Sequence, residues 1–323
     1  MNERPLDRSA DGHAVRHVAC VGTGLIGSRW VALFAACGLE VTASDPAPNA
    51  QACLRETIAG VWHALRMLGV TSRSRPPHVR FEPDVARAVA GADWVQESVP
   101  DIEELKVDVV RRIDAACPAS AVIASSTSAI LPTVLQSRCA CPQRVLVGHP
   151  FNPAHLVPLV EVVAGRETSP ATVDRAMRFY AAIGKRPLHC RVEAPGFIAN
   201  RLQEAMWREM FHLVNDGIAT TGELDAAITD GPGLRWALYG PAMIYLLQGG
   251  PGGLGHALEQ FAPELVAECS HNYYPTITPA LRAALDSQTR EQAKGRTLAQ
   301  WEALRDEFLV RLIRLRSEGS DSP

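Results

Sequence analysis

Residues 17–45 have the sequence HVACVGTGLIGSRWVALFAACGLEVTASD, in which three glycines separate a short apolar run from a helical pattern. A second apolar run follows the helical pattern and ends in Asp45. Glycine is favoured where a strand bends sharply and where a helix must pack closely on that strand. The stretch therefore predicts a strand, a tight glycine turn, a helix and a second strand with a carboxylate at its tip.

The glycines have the spacing GxGxxG, which is typical of a turn that binds a dinucleotide. The first glycine permits the tight turn, the second lets a pyrophosphate approach the backbone, and the third closes the helix on the strand. Asp45 would accept the ribose hydroxyls and repel a 2′-phosphate, which favours NAD over NADP. A glycine turn with a solvated aspartate is the structural alternative. The residues expected to contact the cofactor here are Gly22, Gly24, Leu25, Ile26, Gly27 and Asp45.

Length and composition restrict the classes of protein to consider. The 323 residues suggest about two domains, and the formal net charge of −3 provides no basic field that would attract nucleic acid. No apolar run approaches the roughly 20 residues that span a bilayer, and the polar first residues do not resemble a secretory leader. We expect a cytoplasmic protein with a small-molecule substrate and no nucleic-acid or membrane partner.

Eight cysteines are scattered through apolar segments of the chain. The one close pair, Cys139 and Cys141, lacks a second pair or a nearby histidine cluster that would complete a zinc site. We therefore predict reduced, structural thiols and no metal.

The pattern of apolar residues changes near Pro195. Before it, short β-branched runs alternate with helical segments, which predicts a parallel sheet with helices on both faces. A long helix over 49–69 is an insertion relative to a minimal dinucleotide fold. After Gly196 the strand signals nearly vanish and apolar residues recur at helical spacing. The predicted parts are a disordered tail (1–15), a Rossmann-type doubly wound α/β domain that binds NAD (16–195) and an all-helical domain for substrate binding and dimerisation (196–323).

Polar side chains follow two predicted strands. Ser128 ends a run of four hydroxyl residues after one strand, and His149 lies at the end of the next. Ligands of doubly wound sheets bind beyond such strand ends, so both side chains should face one crevice. Glu161 lies inside an apolar run, where an unpaired carboxylate is costly, and a histidine held by it would be oriented as a general base for an alcohol. A purely structural ion pair is the alternative.

Several segments together resemble the 3-hydroxyacyl-CoA dehydrogenase family over about residues 16–315. They are VGTGLIG, QESVPDIEELKVDV, ASSTSAI, GHPFNPAHLVPLVEVV and PGFIANRL, in the family's order and spacing. The resemblance implies that His149 is the base, that Glu161 is its partner and that Ser128 hydrogen-bonds the substrate hydroxyl. Asn200, near the start of the helix after Gly196, is implied to contact the reacting carbonyl, although asparagine at such a position is usually a local hydrogen-bonder.

The same resemblance extends to the cofactor and the assembly. Glu97 and Lys106 match residues that lie along the nicotinamide side of NAD in the family. The implied chemistry is removal of an alcohol proton by His149 while the carbinol hydride passes to NAD. A homodimer joined through the helical domain is also implied.

Departures from the family pattern bear on the substrate. Pro150 stands where the family usually has phenylalanine before FNP. The C-terminal half resembles the carnitine-oxidising branch, and its DGPGLRWALYGP segment is also similar to the lambda-crystallin branch, which is related to L-gulonate 3-dehydrogenase. Both branches oxidise small free 3-hydroxy acids without coenzyme A. We therefore expect L-carnitine as the substrate, with L-gulonate and an L-3-hydroxyacyl-CoA as the alternatives.

The segment LRWALYG offers groups that would recognise carnitine. The guanidinium of Arg235 could bind a carboxylate, and the faces of Trp236 and Tyr239 could bind a quaternary ammonium. Phe197 and Trp207 are expected nearby, on the preceding helix. Packing of these aromatic rings between helices or subunits is the alternative. A crystallin-like structural protein is an alternative from a different functional class. The presence of all four predicted catalytic residues argues against it: Ser128, His149, Glu161 and Asn200.

Overall fold

The computed structural model describes residues 15–260 and 271–319. Except for Val15, the predicted disordered tail lies outside the described residues, as does Cys269. The seven cysteines within them are free thiols. None of the described helices has the length and apolar character needed to cross a bilayer.

The chain divides into two compact units. The first contains the chain up to Ile198 together with Asp306–Leu315, and the second contains Ala199–Arg305 and the residues from Arg316 onward. All the described strands lie in the first unit. The described part of the second unit is built from helices.

Eight strands form one sheet in the first unit, in the order β3-β2-β1-β4-β5-β6-β7-β8. Each strand lies in one of the short runs before Pro195 that predicted the sheet. Their bounds are β1 His17–Val21, β2 Glu40–Ser44, β3 Arg80–Phe81, β4 Trp94–Glu97, β5 Val122–Ser125, β6 Val145–Pro150, β7 Leu159–Ala164 and β8 Arg186–Cys190.

The alternation of strands and helices predicted a wholly parallel sheet, but the observed sheet is mixed. β1 to β6 are parallel, but β7 pairs antiparallel with β6, and β8 then runs parallel to β7. The prediction was wrong for the last two strands because the β6–β7 connection is only 151–158. A parallel crossover needs about a dozen residues or more, so this short connection requires a reversal of direction.

Helices cover both faces of this sheet. They are α1 Gly27–Ala36, α2 Ala50–Met67, α3 Val85–Val89, α4 Glu103–Ala116, α5 Pro132–Gln136 and α6 Pro170–Ala182. The predicted long insertion is α2, whose buried Leu54, Ile58, Val61 and Leu65 recur every three or four residues. The insertion is therefore packed by one apolar face.

The two faces of the sheet have separate cores. On one face, aromatic rings contact one another, with Trp30 stacked on Phe34 at 5.1 Å and Trp94 lying 4.2 Å from Phe179. On the other face, aliphatic side chains of α4 such as Ile113 pack with those of the sheet, such as Ile123. Close packing on both sides fixes the strands, so their carboxyl ends provide a rigid edge for a site.

The second unit contains α7 Ala199–Asn215, α8 Thr221–Thr229, α9 Pro232–Trp236, α10 Pro241–Gln248, α11 Gly253–Gln260, α12 Pro279–Gln292 and most of α13 Leu298–Gly319. The middle of α13, Asp306–Leu315, is grouped with the first unit. His155 of the first unit lies 3.5 Å from the Asp306 carboxylate. One helix thus contributes residues to both units.

Candidate active site

The glycine turn between β1 and α1 has a distinct geometry at each glycine. Gly22 has φ +87°, and a Cβ there would lie 2.7 Å from the backbone of Ser98. A Cβ on Gly27 would collide with the carbonyl oxygen of Gly22, whereas the corresponding side of Gly24 is open. The first and third glycines are therefore required by the fold, and the second leaves space for a ligand to approach the backbone.

Asp45 is fixed beside this turn. Its carboxylate accepts hydrogen bonds from the Thr23 backbone N–H at 2.8 Å and the Ala47 N–H at 3.0 Å. Within the described residues, the N–H groups of Leu25 and Ile26, just before α1, donate no backbone hydrogen bond. Free N–H groups at a helix start attract phosphate, so the turn fits the pyrophosphate of a dinucleotide and the carboxylate fits a ribose beside it.

His149 and Glu161 are direct neighbours across the β6–β7 pair. Their Cα atoms are register partners, and His149 Nδ1 lies 2.8 Å from Glu161 Oε2. Both residues are buried, with 5% and 0% of their surface exposed. An ionised carboxylate only accepts hydrogen bonds, so Nδ1 is the donor, and in the neutral imidazole Nε2 then has the lone pair. This tautomer is the one that can accept a proton from an alcohol.

A backbone donor and two aromatic rings also contact this pair. Glu161 Oε1 accepts a hydrogen bond of 2.9 Å from the N–H of Ile198. The rings of Phe151 and Phe197 lie 4.9 and 5.6 Å from the imidazole of His149. The carboxylate is thus held at both oxygens, and the imidazole is flanked by apolar faces.

Ser128 is held by Asp101, a residue that the sequence analysis missed. Asp101 Oδ2 accepts hydrogen bonds from the Ser128 hydroxyl at 3.0 Å and the Ser128 N–H at 3.2 Å, and Oδ1 lies 3.3 Å from Lys106 Nζ. Burial opposes ionisation of Asp101, but Lys106 and the hydrogen bonds from Thr127 and Ser128 outweigh it, so its pKa is lowered. Asp101 is therefore a carboxylate that orients Ser128.

Glu97 and Lys106 lie beneath this edge of the sheet. Glu97 Oε1 accepts from Lys106 Nζ at 2.9 Å and from the Val99 N–H at 2.6 Å, and its other oxygen accepts from the Ser125 hydroxyl. Neither side chain exposes more than 1% of its surface. The pair supports the loop that carries Asp101, and its direct contact with a cofactor stays a prediction.

All of these groups lie at one edge of the sheet. β1, β2, β4, β5 and β6 are parallel, so the glycine turn, Asp45, the Asp101 loop, Ser128 and His149 lie at or just beyond the carboxyl ends of adjacent strands. The order of the strands reverses between β1 and β4. Ligands of doubly wound sheets bind at such a reversal.

The remaining predicted residues lie in the second unit. Asn200 is in the first turn of α7, Arg235 and Trp236 end α9, and Tyr239 follows. Trp236 exposes 38% and Tyr239 45% of their surface, and Arg235 is also exposed. More than half of each residue is therefore covered within the unit, and the exposed remainder is accessible to a ligand or to another subunit.

Two family models match the chain and together cover nearly all of it. The NAD-binding domain of 3-hydroxyacyl-CoA dehydrogenase matches residues 17–193, and the C-terminal domain of the same enzyme matches residues 196–297. The chain belongs to the 3-hydroxyacyl-CoA dehydrogenase family. It is therefore an NAD-dependent dehydrogenase, which confirms the predicted family, enzyme class and cofactor.

Individual relatives agree with this assignment. The chain is 47% identical to an L-carnitine dehydrogenase of Streptomyces griseus over 97% of this chain and 96% of the relative. It is 45% identical to an L-carnitine dehydrogenase of Bacillus cereus over 94% and 93% of the two chains. Among solved structures, an NAD⁺-dependent dismutase, 5-formyl-3-hydroxy-2-methylpyridine 4-carboxylic acid 5-dehydrogenase, is 29% identical with a TM-score of 0.81, covering 94% of this chain and 99% of that one.

A cluster outside the family site brings His212, Asp216 and His271 together in the second unit. The two imidazoles are stacked, with centroids 3.7 Å apart and planes 15° apart. Lone pairs of imidazole lie in the ring plane, so those of stacked rings run side by side and do not converge on one ion. His212 Nε2 also donates to the Tyr273 carbonyl at 2.7 Å. In the described part of the chain, this arrangement is a hydrogen-bonded stack and not a metal site.

Proposed function

We propose that this dehydrogenase oxidises the 3-hydroxyl group of a small free hydroxy acid, and that the acid is L-carnitine. The observation that carries the proposal is the similarity, over almost the whole chain, to relatives named L-carnitine dehydrogenase. The buried His149–Glu161 pair supports it, because oxidation of an alcohol needs a base beside the hydroxyl group.

The proposed reaction converts the alcohol to a ketone. Nε2 of His149 takes the hydroxyl proton, and the ionised Glu161 stabilises the imidazolium that forms. The C3 hydrogen leaves with its electron pair, and bound NAD supplies the acceptor for this hydride. The Ser128 hydroxyl, oriented by Asp101, and the Asn200 amide are proposed to hydrogen-bond the reacting oxygen.

The cofactor is proposed to bind along the edge formed by β1, β2 and β4. The glycine turn and the N–H groups before α1 would hold the pyrophosphate, and Asp45 would accept the ribose hydroxyls. Glu97 and Lys106 are proposed to hold the loop along the nicotinamide side. We assign this role to a domain of residues 16–195.

The helical domain, residues 196–323, is proposed to bind the rest of the substrate. A guanidinium fork at Arg235 suits the carboxylate of carnitine, and the exposed faces of Trp236 and Tyr239 suit its quaternary ammonium. The exposure of these side chains supports the assignment, since each is accessible to a ligand.

We also propose a homodimer joined through the helical domain and a cytoplasmic location. The free cysteines agree with a reducing compartment. Many large apolar side chains of the second unit are exposed, and a second copy would remove them from water. They include Leu202, Met206, Trp207, Leu238, Met243, Leu246 and Leu247. Light scattering coupled to size-exclusion chromatography should give twice the mass of the chain, and a monomer at high concentration would refute the dimer.

A substrate panel tests the proposed reaction. L-Carnitine, L-gulonate and L-3-hydroxybutyryl-CoA are supplied in turn with NAD, and NADH is followed by its absorbance. We expect the highest kcat/KM for L-carnitine. A preference for L-gulonate would replace the substrate within the same reaction. Efficient oxidation of the CoA thioester without activity on free acids would refute the proposal.

A further inference from the structure

The segment that leaves β8 and enters α7 contains two consecutive left-handed residues. Gly196 has φ +73° and Phe197 has φ +49°. Glycine adopts this conformation freely, but a residue with a Cβ does so at a cost in energy. In the described part of the chain, Phe197 and Lys294 are the non-glycine residues with positive φ. A left-handed phenylalanine therefore requires an explanation.

The residue after Phe197 makes the contact that this conformation permits. The N–H of Ile198 donates to Oε1 of Glu161 at 2.9 Å, while Oε2 of the same carboxylate accepts from His149 at 2.8 Å. A carboxylate held at one oxygen only can rotate about its last side-chain bond. Because Ile198 holds the second oxygen, Glu161 presents Oε2 to the imidazole in one orientation.

The side chain of Phe197 contacts the same pair from another direction. Its ring is 3% exposed and lies 5.6 Å from the imidazole of His149, within the apolar cluster that includes Val163 and Cys190. Glycine at this position would adopt the backbone conformation without strain but would supply no ring. Phe197 therefore supplies both the ring beside His149 and the left-handed backbone that precedes the Ile198 N–H.

We infer that Phe197 is a positioning residue for the His149–Glu161 pair. Its backbone directs the Ile198 N–H onto Glu161, and its ring restricts the tilt of the imidazole. The inference rests on the proposed role of His149 as the base, because a positioned base accelerates only a step in which it takes the proton.

Two variants of Phe197 separate this role from simple packing. Phe197→Gly removes the ring but keeps the left-handed conformation available, whereas Phe197→Val keeps apolar volume but is β-branched and disfavours positive φ. We expect kcat for L-carnitine to fall about 10-fold in Phe197→Gly and about 100-fold in Phe197→Val, within the range of a general-base contribution. A packing role predicts the opposite order, because valine fills more of the cluster.

The isotope effect on kcat shows whether the chemical step has slowed. L-Carnitine deuterated at C3 should give a larger effect in both variants than in the wild type, because a misaligned base slows proton and hydride removal. Partial unfolding would lower kcat with an unchanged isotope effect. Equal isotope effects in all three proteins, or a kcat for Phe197→Val that matches or exceeds that of Phe197→Gly, would overturn the inference.

A second pair of variants is available if Phe197→Val does not fold. Phe197→Asn and Phe197→Leu introduce side chains with the same number of heavy atoms and the same branching, but asparagine tolerates the left-handed region and leucine does not. The inference requires higher turnover in Phe197→Asn despite its polar side chain. Higher turnover in Phe197→Leu would assign the residue to packing.

Lys294 provides a matched control, since it has φ +48° and lies in the loop before α13. Lys294→Gly and Lys294→Val change the same backbone preference far along the chain from the dyad. They should alter the unfolding temperature and leave the isotope effect unchanged.

The inference can be tested even if the proposed substrate is wrong. If the wild type oxidises a 3-hydroxy acid other than L-carnitine, the isotope effects of the Phe197 variants are measured with that acid deuterated at C3.

Discussion

Glu161 faces His149 directly across an antiparallel strand pair, with their Cα atoms in register and the carboxylate 2.8 Å from Nδ1. A shift of one residue in this register would turn Glu161 to the opposite face of the sheet. The antiparallel register of β6 and β7 therefore places the Glu161 carboxylate beside Nδ1 of His149.

His149→Gln should reduce kcat by about 100-fold or more, because the variant lacks the base that takes the hydroxyl proton. The affinity for NAD should remain close to that of the wild type, since the glycine turn is unaltered. Glu161→Gln should lower kcat by a smaller factor, because the amide oxygen can still accept from Nδ1 but carries no charge. Steady-state kinetics and NAD titration measure both effects. Near-normal turnover in His149→Gln would show that His149 is not the base.

Asp45→Ser should relax the choice of cofactor. The carboxylate lies beside the glycine turn, where it would repel the 2′-phosphate of NADP. The ratio of kcat/KM for NADP to that for NAD should rise at least about 10-fold, which corresponds to about 1.4 kcal/mol of lost discrimination. Comparable use of both cofactors by the wild type would show that Asp45 does not contact the ribose.

Much of this edge of the sheet could be predicted from sequence because its signals are local. Glycine spacing specified the turn, and the carboxylate in an apolar run indicated a partner for His149. The direction of β7 could not be obtained from periodicity, which is the same for parallel and antiparallel strands. Asp101 was missed because an acid in a polar loop resembles a solvated residue, and its partner Ser128 is 27 residues away. The strain at Phe197 was not predicted because phenylalanine rarely adopts positive φ.

Lys185 should make stability depend on pH. Its ammonium group is buried, donates to the carbonyls of Val157 at 2.8 Å and of Ala154, and has its pKa lowered by burial to about 7. In the unfolded chain a lysine titrates near about 10.4. Between pH about 7 and about 10, the unfolded state therefore binds more protons, so this group contributes stability that is present at high pH and lost as the pH falls towards 7.

Lys185→Met should remove this contribution. Urea denaturation measures the change in the free energy of unfolding between pH about 7 and about 9.5, and this change should be more favourable to the folded state in the wild type than in the variant. Buried thiols that titrate in the same range, such as Cys37, are shared by both proteins and cancel in this comparison. Lys294→Met, at an exposed lysine, is the control and should retain the wild-type change. An identical pH dependence in Lys185→Met and the wild type would contradict the lowered pKa.

Trp236 and Arg235 test the recognition of the substrate, which is the least constrained part of the proposed function. Trp236→Leu keeps an apolar side chain but removes the face that would bind a quaternary ammonium, a contact worth roughly 0.5 to 2 kcal/mol. We therefore expect KM for L-carnitine to rise by a factor of about 2 to 30, on a scale of about 1.4 kcal/mol for each tenfold change. The matched substrate is 3-hydroxy-5,5-dimethylhexanoate, in which carbon replaces the cationic nitrogen, and its KM should change little. Arg235→Lys should raise KM for both substrates, because a point charge does not reproduce the bidentate contact with their shared carboxylate. Equal losses for the two substrates in Trp236→Leu would assign the ring to packing or to the subunit interface.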